Sequence, residues 1–275
     1  MKRKSLLSLI VLVGTLTASA QVKIDRKALV KRHNVINTTT DSLSSVSVGN
    51  GRFAFTVDIT GLQTFPLYYD KGIPLGTESE WGWHSFIDTV GYRFDETLKT
   101  YDFNGHKATY AVQWNKPGRH KDAANWFRQN VHRLQLGNLG FVLLRRDGTA
   151  ADIHEIKNIR QELDLWTGAI NSYFTFDGEA VRVQTYCHQD KDQIGVKVQS
   201  ELLREGRLKV QLRFPYPTNE FADDGVNYAN DSRHTSDIIA TSAHRARIRH
   251  RLDTNQYFVR LGWAGLAAVK NTAAH

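Results

Sequence analysis

Cysteine is nearly absent from this sequence, because Cys187 is the only one among 275 residues. A single cysteine excludes any disulfide within the chain, so packing alone must stabilise the fold. The alternation of side chains around Cys187 places it on the inner side of a strand. No paired base marks it as a reactive thiol.

Several signatures of cofactor and enzyme sites are also missing. There is no glycine-rich phosphate loop and no Gly-x-Ser-x-Gly motif, and the eleven histidines show no zinc-binding spacing. The segment from Asp190 to Glu201 imitates a calcium loop, but Ile194 takes a position that needs an oxygen ligand. We therefore predict no metal and no cofactor.

Long apolar runs are absent, and the one short run lies at the N-terminus. Basic residues at positions 2–4 precede an apolar run over residues 6–16, and Ala18-Ser19-Ala20 is a small-x-small cleavage site. This is the pattern of a secretory signal peptide, and it is too short to span a membrane. We predict that residues 1–20 are removed near Ala20, and that the protein is secreted or periplasmic, with no membrane span.

What the sequence does contain is a large β-rich domain. Residues 21–44 are polar and predict an N-terminal arm, whereas residues 45–275 contain no linker or repeat and predict one domain. Alternating apolar and polar residues predict strands over residues 53–59, 101–103, 108–114, 141–146, 171–176, 180–187, 194–198, 208–214 and 257–263.

One helix is predicted over Lys121 to Val131, because apolar residues recur there at helical spacing. The isoleucines from Ile153 to Ile159 fit both a helix and a strand, and that segment stays open. Many strands with one apolar face and almost no helix predict an antiparallel β-sandwich with one short helix.

An aromatic loop follows the first predicted strand and ends in Trp81-Gly82-Trp83-His84. Two indoles two residues apart share one side of an extended backbone, and flat apolar rings with polar neighbours suit sugars. We take Glu80, Trp81, Trp83 and His84 as candidate carbohydrate-binding residues. The alternative is that both indoles fill a core.

Acidic residues surround this loop, at Asp58, Asp70, Glu78, Glu80 and Asp88. Glycoside hydrolysis uses two carboxyl groups at a defined separation, which sequence alone does not give. We expect these acids to be solvated.

A strongly basic strand is predicted near the end of the chain, where Arg245, Arg247, Arg249 and Arg251 alternate with other residues. A nucleic-acid partner is one interpretation. We expect none, because the chain is exported and the other strands show no basic clustering. A solvated outer face is favoured, with an acidic glycan surface second.

Several motifs carry a resemblance to a known family. Residues 48–55 (VGNGRFAF), 60–65 (TGLQTF), 74–77 (PLGT), 81–84 (WGWH), 163–168 (LDLWTG) and 213–217 (RFPYP) resemble the N-terminal part of secreted bacterial glycosidases related to glycoside hydrolase family 65. The likeness extends from about Ser45 to Trp263.

The resemblance implies an N-terminal super-sandwich followed by an (α/α)6 toroid that contains the catalytic acid. This chain stops at His275 with no helical repeat, so we expect a truncated sandwich and no catalytic residue within it. The toroid is the partner domain expected in cis, and carbohydrate is the expected ligand.

Three functional hypotheses remain at this point. The first is the sandwich part of a secreted glycosidase acting on α-linked oligosaccharides, inactive alone. The second is a free-standing carbohydrate-binding or mutarotase-like sandwich, in which His84 and a nearby acid transfer a proton. The third is a non-catalytic interaction domain. We favour the first.

Overall fold

The structure is a computed structural model that describes residues 23–273, except residues 113, 114, 116, 221, 224 and 230 and the side chain of Asp231. The predicted signal peptide and the end of the predicted strand at Trp114 lie outside the described residues. The described chain is mainly β and its strands pair in antiparallel sheets, which confirms the predicted fold class. In this part of the chain, no helix has the length and apolar character needed to cross a membrane.

The helices and strands of the described residues follow one another in this order: α1 (Arg26–Lys31), β1 (Val35–Asn37), β2 (Val46–Gly49), β3 (Phe53–Val57), α2 (Pro66–Tyr69), β4 (Thr77–Ser79), β5 (Trp83–His84), β6 (Leu98–Phe103), β7 (His106–Ala111), α3 (Arg119–Gln129), β8 (His132–Arg133), β9 (Asn138–Leu143), β10 (Lys157–Asp164), β11 (Ala169–Phe176), β12 (Glu179–Cys187), β13 (Ile194–Gln199), β14 (Leu208–Arg213), β15 (His234–Ser242), β16 (Arg245–Leu252) and β17 (Asn255–Gly262).

The largest sheet has five antiparallel strands in the order β1-β10-β11-β12-β13. Its first strand comes from the N-terminal arm, because Val35 pairs with Leu163. The predicted hairpin of β11 and β12 is present and turns at Asp177-Gly178. The arm is therefore hydrogen-bonded into the sheet as its edge strand.

The main core lies between this sheet and the strands β2, β3, β9 and β14. Phe55 and Val57 of β3 are fully buried, as are Phe174 of β11 and Val181 of β12. Their alternation with more exposed residues is the period of two that a strand with one buried face requires.

A second core lies against the three-stranded sheet β15-β16-β17. It is formed by buried apolar and aromatic side chains from that sheet and from the segments before β9 and after β14: Leu134, Leu136, Phe214, Tyr216, Ile248, Leu252 and Tyr257. The strands β5 and β8 lie beside this second core and pair at Trp83 with Arg133 and at His84 with His132.

Several elements were not predicted from the sequence or differ from their prediction. The unpredicted ones include the helices α1 and α2 and the short strands β1, β2, β4, β5 and β8. The strand β15 was not predicted, because a bulge between Ile238 and Ala240 interrupts its alternation. The helix α3 begins at Arg119 and ends at Gln129, which leaves Val131 60% exposed beyond its end. The open segment contains one short 3-10 turn over Ile153–Glu155 and then the strand β10.

The predicted hairpin around Asn104-Gly105 is present as β6 and β7, but it lacks a buried face. Tyr110 of β7 is 51% exposed. Alternation reports which residues share a side of a strand, and it does not report whether another layer covers that side.

Candidate functional site

The aromatic loop exposes both of its indoles from a tightly folded segment. Gly82 donates its backbone N–H to the Ser79 carbonyl, and the strand β5 follows at once. Trp81 is 52% exposed and Trp83 is 44% exposed, whereas Gly82 and His84 are buried. The interpretation that both indoles fill a core is therefore wrong for this structure.

Trp81 is fixed by a carboxylate far away in the sequence. Its Nε1–H donates to Asp192 Oδ2 at 2.6 Å, and the hydroxyl of Ser79 donates to the same oxygen at 2.6 Å. The indole also lies 5.9 Å from the ring of Tyr257. Asp192 belongs to the segment that imitates a calcium loop, so its role here is to orient an indole.

Trp83 is fixed from two directions. Its Nε1–H donates to the Glu80 carbonyl at 2.9 Å, and the guanidinium of Arg133 lies 4.1 Å from the ring centroid. Arg133 in turn donates to the carbonyls of Ser79 and Glu80. Both indole N–H groups are therefore bonded to protein, and Arg133 covers one face of Trp83.

Glu80 lies at the rim of this surface and is exposed. Its Oε1 accepts from Arg52 Nε at 2.7 Å, and this hydrogen bond lowers the pKa of the Glu80 carboxyl. A carboxylate paired in this way stays ionised at neutral pH. We name the exposed group formed by Glu80, Trp81, Trp83, Arg133 and Asp192 the indole surface.

His84 does not belong to the indole surface, although it was predicted to contact sugar there. It is 1% exposed, because successive side chains of a strand point to opposite sides and Trp83 takes the outer one. Direct contact between His84 and a sugar on the indole surface does not fit this position.

Behind the surface, His84 is the centre of a buried hydrogen-bonded chain, which we call the histidine chain. His84 Nε2 lies 2.9 Å from Asp253 Oδ2, and the Tyr216 hydroxyl donates to the same oxygen at 2.6 Å. His84 Nδ1 lies 3.0 Å from His132 Nε2, and His132 Nδ1 lies 2.8 Å from the Gln129 carbonyl.

Counting hydrogens relates the charge of the histidine chain to its hydrogen bonds. The Gln129 carbonyl only accepts, so a bond to it needs a hydrogen on His132 Nδ1, and a bond to ionised Asp253 needs one on His84 Nε2. A hydrogen bond between the two imidazoles requires a third hydrogen. Two neutral imidazoles carry only two, so all three bonds form together only when one imidazole of the pair is protonated.

The pKa values of His84 and Asp253 are both shifted by their surroundings. Burial lowers the pKa of His84, and the hydrogen bond to Asp253 offsets part of that effect. Burial also acts to raise the pKa of Asp253, but hydrogen bonds from Tyr216 and His84 outweigh it and lower the pKa. Arg233, 3.7 Å from Asp253 Oδ1, adds to the positive charge around this carboxylate.

Sequence analysis missed every partner of His84, and only one of them carried a local signal. Asp253 lies in the turn between β16 and β17 with φ of +46°, a conformation that Asp tolerates better than most residues. That signal predicts a turn, and it does not identify a partner 169 positions away.

The expectation that the nearby acids are solvated is wrong for Asp58, which is fully buried. Its oxygens accept from the backbone N–H groups of Thr60, Thr64 and Phe65 and from the Thr60 hydroxyl. Burial raises the pKa of Asp58 to about 6, even though these hydrogen bonds act to lower it. Asp58 therefore organises the loop over residues 58–65 and is not available to a ligand.

Comparison with known proteins gives no match, either to a protein-family model or to a curated protein. The function of the site must therefore be inferred from its own geometry. The indole surface offers exposed, oriented aromatic rings with a charged rim, which suits binding by stacking. Proton transfer to a ligand has no group suited to it here, because His84 is buried and Glu80 is paired with Arg52.

Proposed function

We propose that this chain is the carbohydrate-contacting β-sandwich of a secreted glycoside hydrolase related to family 65, and that its indole surface stacks on the rings of α-linked oligosaccharides. The observation that carries the proposal is that Trp81 and Trp83, two residues apart, are both exposed and both held by hydrogen bonds within the protein. The resemblance of the motifs to secreted glycosidases supports it.

Preorganisation is the physical reason why such a surface binds. Each indole N–H already has a protein acceptor, so a ligand does not need to order these side chains, and little conformational entropy is lost. The exposed part of Trp81 and the face of Trp83 that Arg133 does not cover remain for the apolar C–H faces of a sugar, and Glu80 and Asp192 supply acceptors for hydroxyl groups at the rim.

The mutarotase-like alternative has less support. It needs His84 and a nearby acid to exchange protons with a ligand, and the His84 side chain has no exposed area although Asp253 lies beside it. We therefore propose a binding role, without a proton-transfer step in this part of the protein.

The test is calorimetric titration of the chain with a linear α-linked tetrasaccharide. Trp83→Ala should weaken binding at least about tenfold, equivalent to about 1.4 kcal/mol, because it removes a stacking ring. The matched control is Trp166→Ala, since Trp166 is 48% exposed in the turn between β10 and β11.

The proposal would be refuted if the Trp83→Ala and Trp166→Ala variants bound the tetrasaccharide equally strongly. So would the absence of binding by a chain that is shown to be folded.

A further inference from the structure

The outer side of the three-stranded sheet β15-β16-β17 carries five arginines, which we call the arginine face. Four of them are the alternate residues of the central strand β16, and the fifth is directly opposite on β17: Arg245, Arg247, Arg249, Arg251 and Arg260. The intervening residues of β16 are buried against the second core, so all four of its arginines point away from it.

The arginine face has fewer acidic partners than arginines. Asp237 is the carboxylate paired with the arginines of β16, and it accepts from Arg249 at 3.0 Å and from Arg251 at 3.2 Å. Within the described part of the chain, Arg245, Arg247 and Arg260 form no ion pair. Five positive charges therefore face one negative charge.

The arginine face also brings two like charges together. Arg247 lies directly opposite Arg260 in the sheet, and like charges at such positions destabilise a pair of strands. An anion placed between these two guanidinium groups would relieve that repulsion.

The neighbouring positions leave this row of arginines open. Half of the residues opposite these arginines are small: Thr235, Ala240 and Ser242 on β15, and Gly262 on β17. The larger ones are Asp237, Gln256, Phe258 and Arg260, and Arg247 lies 4.2 Å from the ring centroid of Phe258. Because alternate residues of a strand are about 7 Å apart, the arginines form an evenly spaced line of charge.

We propose that the arginine face binds a linear acidic polysaccharide through its carboxylate groups. A line of guanidinium groups matches a polymer with regularly spaced carboxylates, each of which can take two parallel N–H donors. A single-stranded nucleic acid fits less well, because it needs open aromatic faces for base stacking and Arg247 covers Phe258. This proposal does not depend on the proposed function, since it uses the other side of β17.

The experiment measures binding of the full chain to polygalacturonate, with neutral amylose and a single-stranded oligothymidylate as comparison probes. The double variant R247Q/R260Q should bind polygalacturonate at least about tenfold more weakly at low salt, because two uncompensated charges are lost. The matched control is R93Q/R204Q, which removes the same charge from arginines that are 74% and 81% exposed elsewhere.

The proposal predicts that R93Q/R204Q stays within about twofold of the unmodified chain, and that wild-type binding weakens steadily as salt is added. Equal weakening by both double variants would overturn it, because only net charge would then matter. Absence of polygalacturonate binding, or tighter binding to oligothymidylate, would also overturn it. If only Trp83→Ala lost tetrasaccharide binding, that result would concern the indole surface and would leave the proposal for the arginine face unchanged.

Discussion

At the scale of single residues, the histidine chain explains how the indole surface is held in place. His84 and Trp83 are neighbours in β5, so fixing the buried imidazole also fixes the backbone that carries the exposed indole. The chain joins two imidazoles, one tyrosine hydroxyl and one carboxylate. Removing one member would leave a buried polar group without its partner.

Replacing Asp253 with Asn should therefore be costly. We expect Asp253→Asn to lower the free energy of unfolding by about 3 kcal/mol, because His84, Tyr216 and Arg233 lose the carboxylate that they contact. Urea denaturation measures the change. The control is Glu201→Gln, whose exposed pair with Arg204 should contribute less than about 1 kcal/mol. A loss as small for Asp253→Asn as for Glu201→Gln would contradict this role of Asp253.

The pKa of Asp58 predicts how the stability of the protein depends on pH. Its pKa of about 6 in the folded protein lies above its ordinary value of 3.8, so the folded state binds the proton more tightly than the unfolded state. This contribution to stability is complete below pH 3.8 and is lost as the pH rises through about 6, with a total of about 3 kcal/mol.

Carboxyl carbon shifts of 13C-labelled aspartate, followed by NMR against pH, measure the Asp58 titration directly. Asp58→Asn identifies the resonance by its disappearance. A midpoint near 6 is expected, and a midpoint below 4 would show that the four hydrogen bonds outweigh burial.

At this scale, the sequence predicted the exposed indoles as candidates but not their environment. The prediction assumed an extended backbone from Trp81 to Trp83, whereas Trp81 lies in a turn and only Trp83 belongs to the strand β5. Two contacts depend on how distant segments meet: Asp192 orients Trp81, and Asp253 pairs with His84. The backbone period of two shows why His84 could not share a surface with Trp83, a conflict between neighbouring residues that was visible in the sequence.

At the scale of elements, close backbone packing joins the two sides of the main core. Gly140 of β9 lies against the backbone of Gln63, and a side chain at Gly140 would overlap the Gln63 carbonyl, with a Cβ only 2.8 Å from its carbon. Gln63 also links strands through its side chain, which accepts from Leu139 N–H and donates to the Thr56 carbonyl. Such a contact tolerates no added volume.

Gly140→Ala should lower the free energy of unfolding by about 2 to 3 kcal/mol, because one of the two backbones must move. The control is Gly195→Ala in β13, where an added Cβ meets nothing within 4 Å. The control should change stability by less than about 0.5 kcal/mol in the same urea titration. Equal stability of the two variants would contradict the packing described here.

Strand positions were largely predictable from the sequence where one face is buried. The hairpin of β11 and β12 combines clear alternation with an Asp-Gly turn, and both signals are local. The strand β15 was not predictable in this way, because its bulge shifts the alternation by one residue. The two-residue strand β5 is set by pairing with β8 and has no sequence pattern of its own.

At the scale of the whole molecule, the strand β17 separates the two proposed binding surfaces. Tyr257 on its inner side contacts Trp81, whereas Phe258 and Arg260 lie on its outer side. The indole surface is oriented by hydrogen bonds and presents aromatic rings, and the arginine face presents uncompensated charge. Neutral and acidic ligands should therefore bind at different places.

Independence of the two surfaces is testable with the variants already described. R247Q/R260Q should leave affinity for the neutral tetrasaccharide within about twofold, and Trp83→Ala should leave affinity for polygalacturonate within the same limit. Added salt should weaken only polygalacturonate binding, because only that interface is electrostatic. Calorimetry at two salt concentrations measures all four affinities, and a variant that weakens both ligands would contradict the separation.

The central claim is that Trp81 and Trp83 form a ligand-binding surface, and indole N–H resonances test it most directly. In a 15N-labelled chain, Trp81→Ala, Trp83→Ala and Trp166→Ala assign the three signals. Addition of the α-linked tetrasaccharide should shift the Trp81 and Trp83 signals and leave Trp166 unchanged. Unchanged Trp81 and Trp83 signals at saturating sugar, or equal shifts of all three, would contradict the account.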